Sequence, residues 1–159
     1  MKHLPKHLRQ RWRYLAVELE SWPDADLRRG DFQGALWRAA RALIGDAGSA
    51  DIGLTVYGFA FEDGTGHAVV RVRRPAVDRG RAVLACLDRV NGHPVGVRIR
   101  GVSGTVRACE EKYIRDAEIS VEERHVALAG SERRAVVRSA RVDARVGGGY
   151  LGATDLDCE

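Results

Sequence analysis

A chain of 159 residues that is 45% hydrophobic can bury the core of one compact domain with an appended tail, and is too apolar to be disordered. A net charge of +4 and a pI near 9.2 suit a polyanionic partner. No apolar run approaches the roughly 20 residues of a bilayer span, and Met1-Lys2-His3-Leu4-Pro5-Lys6-His7 lacks the apolar stretch of a signal peptide, so a cytoplasmic protein without membrane contact is expected.

The chain opens with a basic arm, Lys2, Lys6, Arg9, Arg11 and Arg13, ahead of the first strand, where such arms track phosphate backbones. His3 and His7 have i,i+4 spacing, but Pro5 lies between them and no third ligand is near, so no metal site is expected. Leu15, Val17 and Leu19 alternate with Tyr14, Ala16 and Glu18, the period of a strand, which Trp22-Pro23-Asp24 ends. Asp31 is predicted to N-cap a helix over residues 32–44, with Phe32, Leu36, Ala39, Ala40 and Leu43 as its apolar stripe and Gly45 as its C′ glycine. Residues 54–61 and 68–73 read as the second and third strands, joined by Glu62-Asp63-Gly64-Thr65-Gly66. Pro75 begins a second helix that points Val77, Val83, Leu84 and Leu87 inward, and Gly80 weakens it by about 1 kcal/mol relative to alanine. Asn91-Gly92-His93-Pro94 reads as a loop, Val95, Val97 and Ile99 as a fourth strand, and residues 105–114 as a third helix. Beyond Asp116 residues 125–129, 135–138, 142–146 and 150–153 look strand-like, with Gly147-Gly148-Gly149 able to turn a hairpin.

The order strand, helix, strand, strand, helix, strand predicts an α+β fold, a ferredoxin-like split βαβ sandwich. Right-handed crossovers place two helices on one face of a four-stranded antiparallel sheet. A third helix completes an α/β domain over residues 1–116 with its basic arm, and residues 117–159 form a C-terminal extension with strand character.

Strand parity carries the functional reading. If Leu15, Val17, Val70, Val72, Val95, Val97 and Ile99 face the helices, then Tyr14, Arg71, Arg73, Arg98 and Arg100 face away, joined by Tyr57 and Phe59 if the second strand keeps register. Such a face is either solvated and partly roofed by the third helix or a surface for RNA or a partner, because crowded like charges repel unless something anionic answers them. Arg100-Gly101-Val102-Ser103-Gly104-Thr105 runs from strand through glycines into a helix, where free N–H groups and two hydroxyls suit a phosphate; Ser103 or Thr105 serving only as an N-cap is the alternative.

No catalytic constellation is legible: no nucleophile elbow, no H-E-x-x-H, and no carboxylate pair in an apolar setting. Glu110-Glu111 beside Lys112 reads as solvated charge. Acylphosphatases share the predicted fold but need an arginine after the first strand, where this chain has Ser21-Trp22-Pro23-Asp24. The third strand lacks the stacked aromatics of an RNA recognition motif. Cys86, Cys109 and Cys158 stand too far apart for a C-x-x-C pair and read as ordinary thiols.

Three segments, Arg11-Trp12-Arg13-Tyr14-Leu15, Leu43-Ile44-Gly45-Asp46-Ala47-Gly48-Ser49-Ala50 and Gly101-Val102-Ser103-Gly104-Thr105-Val106-Arg107-Ala108-Cys109-Glu110-Glu111-Lys112-Tyr113, resemble the archaeal ribonuclease P protein component 2 family. The likeness covers residues 2–116, and the opening Lys2-His3-Leu4-Pro5-Lys6-His7-Leu8-Arg9 is similar to members from salt-loving archaea. The resemblance implies a non-catalytic, RNA-binding subunit of an RNA-based endonuclease that removes the 5′ leader of precursor tRNA. In that family the RNA and its Mg2+ ions perform the cleavage, the protein binds no cofactor, and a barrel-shaped partner, component 3, joins it on the catalytic domain of the RNA. The residues expected to contact RNA are then Lys6, Arg9, Arg11, Arg13, Arg71, Arg73, Arg98, Arg100, Ser103, Gly104, Thr105, Arg107 and Lys112. The alternative is a ferredoxin-like regulatory domain that binds a small ligand, marked by saturable binding of a small molecule and negligible affinity for structured RNA.

Overall fold

A computed structural model describes residues 4–116 and 119–158. Strand β1 (Trp12–Glu20) carries the predicted alternation, and Leu15, Val17 and Leu19 are buried on one side. Ala16 and Glu18 are buried too, because both faces of this central strand are covered.

Helix α1 (Arg29–Ile52) begins three residues before the predicted start. Asp31 is not its N-cap but its third residue, reaching back to accept the Arg28 backbone N–H at 3.3 Å, as an acidic N3 side chain can. Gly45 takes the left-handed φ expected of it (74°), yet the chain winds on through 46–52 to a second left-handed glycine, Gly53 (φ 63°), because Ile52 is fully buried in the core.

Strands β2 (Thr55–Glu62) and β3 (Thr65–Arg73) join through Asp63 and Gly64 alone, both at positive φ, a tighter hairpin than predicted. After a 3-10 turn at Arg74–Ala76, helix α2 (Val77–Ala85) packs on the sheet. A Cβ at Gly80 would lie 3.0 Å from Val72 Cγ2, so this glycine lets α2 approach β3 and is not merely a weak point. The predicted loop at Asn91-Gly92-His93-Pro94 is a small hairpin, β4 (Arg89–Val90) and β5 (His93–Pro94), because Asn91 and Gly92 both adopt positive φ. Strand β6 (Gly96–Ser103) and helix α3 (Val106–Tyr113) follow.

The main sheet is antiparallel in the order β2-β3-β1-β6. Helices α1 and α2 bury one face, with Phe32, Leu36, Val83 and Leu84 against Leu15, Val17, Val70 and Val72. Helix α3 covers the other, setting Cys109 and the partly buried Val106 and Tyr113 on Ala16 and Val69. Two register shifts change side-chain direction. A shift between Val56 and Gly58 turns Phe59 into the core, 5.6 Å from the Phe32 ring, so Phe59 does not join Tyr57 on the arginine face as parity predicted. A shift in the β1–β6 pairing at Ala16/Val17 leaves Arg100 without a direct partner and puts Gly101 under the Tyr113 ring, which a Cβ would overlap.

The remaining strands, β7 (Val121–Leu128), β8 (Ser131–Arg138), β9 (Arg141–Val146) and β10 (Gly149–Ala153), form a second antiparallel sheet in the order β10-β9-β8-β7. Val126, Leu128, Ala135, Val137, Val142 and Ala144 make a small core on one face. The opposite face docks on the loop after β1 and the β2–β3 turn. Arg138, only 2% exposed, donates to the carbonyls of Ser21 and Gly64 and pairs with Asp143 at 2.7 Å. Arg141 pairs with Glu20, Arg145 reaches Asp24 at 3.5 Å, and Trp22 meets Tyr150 edge-on at 5.6 Å.

Arg138→Ala would leave Asp143 without its ion-pair partner and the buried Ser21 carbonyl unanswered, while the Gly64 carbonyl keeps the Ser21 N–H at 3.0 Å. We expect a loss of about 3–5 kcal/mol in urea unfolding, with hydrogen exchange accelerating first in β7–β10 while the β1–β3 pairing persists.

Candidate nucleic-acid interface

Pairing in the main sheet gathers three chain segments at one end. Trp12 stands opposite Arg73 and Tyr14 opposite Arg71, the Arg74 N–H donates to the Arg11 carbonyl at 2.8 Å, and Tyr14 also pairs with Ser103, just before α3. The start of β1, the end of β3 and the start of α3 therefore meet.

The side chains there are stacked. The Arg71 guanidinium lies 3.9 Å from the Trp12 ring centroid and 5.0 Å from that of Tyr57, and donates to the Tyr57 hydroxyl at 2.7 Å. Tyr14 stands edge-on to Tyr57 at 5.8 Å. Arg73 lies 5.9 Å from Trp12 and pairs with Asp51 at 3.7 Å. Arg13 donates to the Trp12 carbonyl at 3.1 Å, and its Nη1 would lie 3.9 Å from a Cβ at the exposed Gly104. Arg9 donates to the Leu4 carbonyl at 2.9 Å, and Lys6 sits on an exposed 3-10 turn (Lys6–Leu8). Lys2 and His3 lie outside the described residues. Among the described residues no carboxylate pairs with Lys6, Arg9, Arg11, Arg13, Arg71 or Arg74.

Arg98 and Arg100 lie at the other end. Arg98 reaches Glu18 Oε1 at 2.7 Å and Arg100 reaches Oε2 at 3.2 Å, and the Glu18 side chain is only 8% exposed. The single arginine patch expected from parity is therefore two pairs on the α3 side of the sheet, separated along β1. The repulsion that parity implied for the second pair is answered inside the molecule.

Helix α3 starts at Val106, one residue later than predicted, because Thr105 is its N-cap: the Thr105 hydroxyl accepts the Ala108 N–H at 3.1 Å. Ser103 belongs to β6. Arg107 pairs with Glu111 at 2.8 Å, one turn on, and the Lys112 ammonium lies 5.2 Å from the Tyr113 ring centroid. Burial, and to a lesser degree Glu110, push the Cys109 thiol up to about 11, so it stays a neutral thiol at neutral pH. No group of three histidine, cysteine or acidic side chains able to hold a metal ion occurs among the described residues, and no helix there is long and apolar enough to cross a membrane.

Two residues of this surface escaped sequence reasoning. Trp12 had a visible signal, an aromatic set between Arg11 and Arg13 in the basic arm. Arg74 had none, since only the β1–β3 pairing brings it beside Arg11.

Comparison with known proteins gives the chain's relatives. The sequence profile of the Rpp14/Pop5 family matches residues 13–114. A protein of Natronomonas pharaonis named ribonuclease P protein component 2 is 65% identical over 157 residues, covering 99% of this chain and 98% of that one. A protein of the same name from Halorubrum lacusprofundi is 57% identical over 159 residues and covers 100% of both chains. Another from Methanosarcina acetivorans is 36% identical over 125 residues, 79% of this chain and 90% of its own.

The cap role of Thr105 is separable from any role in anion binding. Thr105→Ala is expected to lower stability by about 0.5–2 kcal/mol and Thr105→Ser to restore most of it. Thermal and urea unfolding of the two variants, set beside their RNA affinity when folded, make the comparison, and the affinity is expected to be unchanged.

Proposed function

This chain belongs to the Rpp14/Pop5 family, and we propose that it works as a non-catalytic, RNA-contacting subunit of ribonuclease P in the 5′ maturation of precursor tRNA. Its relatives over the full length carry the name of that enzyme's second protein component. In this reading the RNA and its Mg2+ ions carry out the cleavage, and the protein binds no cofactor of its own. Its partners are the ribonuclease P RNA, the other protein subunits with component 3 foremost, and precursor tRNA as the substrate of the assembled enzyme, all in the cytoplasm. We read residues 1–116 as a ferredoxin-like split βαβ unit that contacts RNA, a reading supported by the strand order β2-β3-β1-β6, with 117–159 as an extension docked upon it.

The observation that carries the proposal is the charge pattern around Trp12. Arg11, Arg13, Arg71 and Arg74 crowd one end of the sheet without a carboxylate among the described residues, whereas Arg98 and Arg100 share Glu18. An unanswered cluster of guanidinium groups releases the counterions of a phosphate backbone on binding. Ser103, Gly104 and Thr105 border the cluster, Lys6, Arg9 and Arg73 extend it, and Arg107 flanks it in the first turn of α3; Lys112, in the last turn, lies instead beside Arg98 and Arg100 and would meet RNA there. The alternative of a small-ligand domain has less support. The cavity beneath α3, lined by Glu18, His67, Arg100 and Tyr113, holds about 40 Å3. The larger hollows are surface grooves without the mostly apolar walls of a ligand pocket: those of about 420 Å3 beside Arg98, Arg100 and Lys112 and about 320 Å3 beside Glu20, Arg141 and Asp143 are lined largely by charged groups, and that of about 430 Å3 beside Trp37 and Ser49 is shallow.

Two measurements test this. Protein freed of RNA is expected to leave precursor tRNA intact, while reconstitution with the ribonuclease P RNA and the other subunits removes the leader at a lower Mg2+ concentration than the RNA needs alone. Cleavage by the RNA-free protein refutes the assignment of chemistry to the RNA. In salt titrations of binding to that RNA, each neutralised phosphate adds about 0.7–0.9 to the slope of log affinity against log salt. Arg11→Gln with Arg13→Gln should flatten it by about one to two units. Arg98→Gln with Arg100→Gln should change the slope less and lower the urea midpoint, because Glu18 is left buried without its cations.

A further inference from the structure

We propose that Tyr57, held by Arg71 and Trp12, is a stacking site for one unpaired base of the bound RNA. This rests on the RNA-contacting role above and adds the kind of nucleotide the surface takes. The register shift between Val56 and Gly58 turns Tyr57 outward, while Phe59 and Phe61 of the same strand pack against the core. Tyr57 is 46% exposed on the edge strand of the sheet, yet its ring is fixed: the hydroxyl accepts from Arg71 at 2.7 Å and Tyr14 braces it edge-on. An exposed aromatic ring held in place offers a π-face with little ordering to lose on binding. Behind it the Arg71 guanidinium lies against Trp12, a planar cation within reach of two rings.

The surrounding charge selects the ligand. Arg71, Arg13 and Arg74 lack a carboxylate among the described residues, so an acyl chain or an apolar peptide would leave them unanswered, whereas a nucleotide brings its phosphate with its base. A duplex offers only base edges and phosphates at its flanks, and a tyrosine face needs a base that has left its stack. The site therefore takes a bulged, looped or terminal nucleotide.

The test uses the full chain with Trp22→Phe and Trp37→Phe, which leaves Trp12 as the only indole of the three and a reporter beside Arg71. The probes are a short single-stranded oligoadenylate and a blunt RNA duplex of equal length. We expect saturable quenching of Trp12 by the single strand. Tyr57→Ala should weaken that binding about tenfold, in the range of one lost base stack, and Tyr57→Phe, which keeps the ring and loses the hydroxyl that Arg71 holds, should weaken it clearly less than Tyr57→Ala. Duplex affinity should follow neither change. Equal single-strand affinity for wild type and Tyr57→Ala overturns the proposal, as does equal weakening for strand and duplex. Loss of association with another protein subunit, with RNA affinity intact, also overturns it and gives the face to protein. If the double tryptophan variant does not fold, filter binding of the Tyr57 variants in the wild-type background decides by the same comparison. The salt slope of the Arg11 and Arg13 variants on ribonuclease P RNA reads the underlying role separately, so a non-stacking RNA-binding protein and a protein that does not bind RNA give different results.

Discussion

The burial of β1 on both faces governs the rest of this structure. Five successive residues, Leu15 to Leu19, are shut off from solvent, with α1 and α2 on one side and α3 on the other. A half-covered strand would allow any polar residue on its outer face, but this one demands a small residue at Ala16, where Cys109 packs, and cations for Glu18. The same covering fixes α3. With Gly101 under Tyr113 and Cys109 on Ala16 and Val69, the helix can lie along the sheet in one direction, with its start beside Tyr14. The composite surface of arm, strand end and helix start follows from that placement.

The charges divide along the same axis. Toward the Glu20 end of β1, acidic and basic groups are matched within the molecule: Glu18 with Arg98 and Arg100, Glu20 with Arg141, Asp143 with Arg138, Asp24 with Arg145. At the Trp12 end only Arg73, of the arginines of the cluster, has a carboxylate partner among the described residues. A modest net charge of +4 can thus yield a strongly polarised surface, since compensation is local while the total is not.

The second sheet takes part in this division. Its docking face is polar, built on a buried guanidinium, two further ion pairs and an aromatic contact, and it uses the acidic end of β1 as its platform. The Rpp14/Pop5 profile stops at residue 114, before these strands, while the relatives from Natronomonas and Halorubrum match across them. The Methanosarcina relative shares 79% of the chain. The docking thus draws on the carbonyls of Ser21 and Gly64 and on three recipient side chains, Glu20, Trp22 and Asp24.

Local features were legible in the sequence. The alternation in β1, the positive φ of Gly45 and the strands at 135–138, 142–146 and 150–153 all follow from period and turn chemistry, which act within a few residues. The segment Gly101 to Tyr113 also carried the family likeness unaided. Asn91-Gly92 is a hairpin dipeptide, but the two-residue strands flanking it are too short to carry a period, so the sequence pattern alone gives a loop there. The candidate site was half legible: the arm and the arginine parity could be read, but the direction of Phe59, the partner of Arg98 and the place of Arg74 could not. Parity counts along one strand, while the shift at Val56/Gly58 arises from pairing with β3 and resets the count. Glu18 and Arg98 meet across 80 residues of chain. The sequence by itself determined which residues are basic and which strands they ride on. Only the tertiary structure decided which arginines find a carboxylate, because an ion pair depends on distance in space and its two members share no local signal.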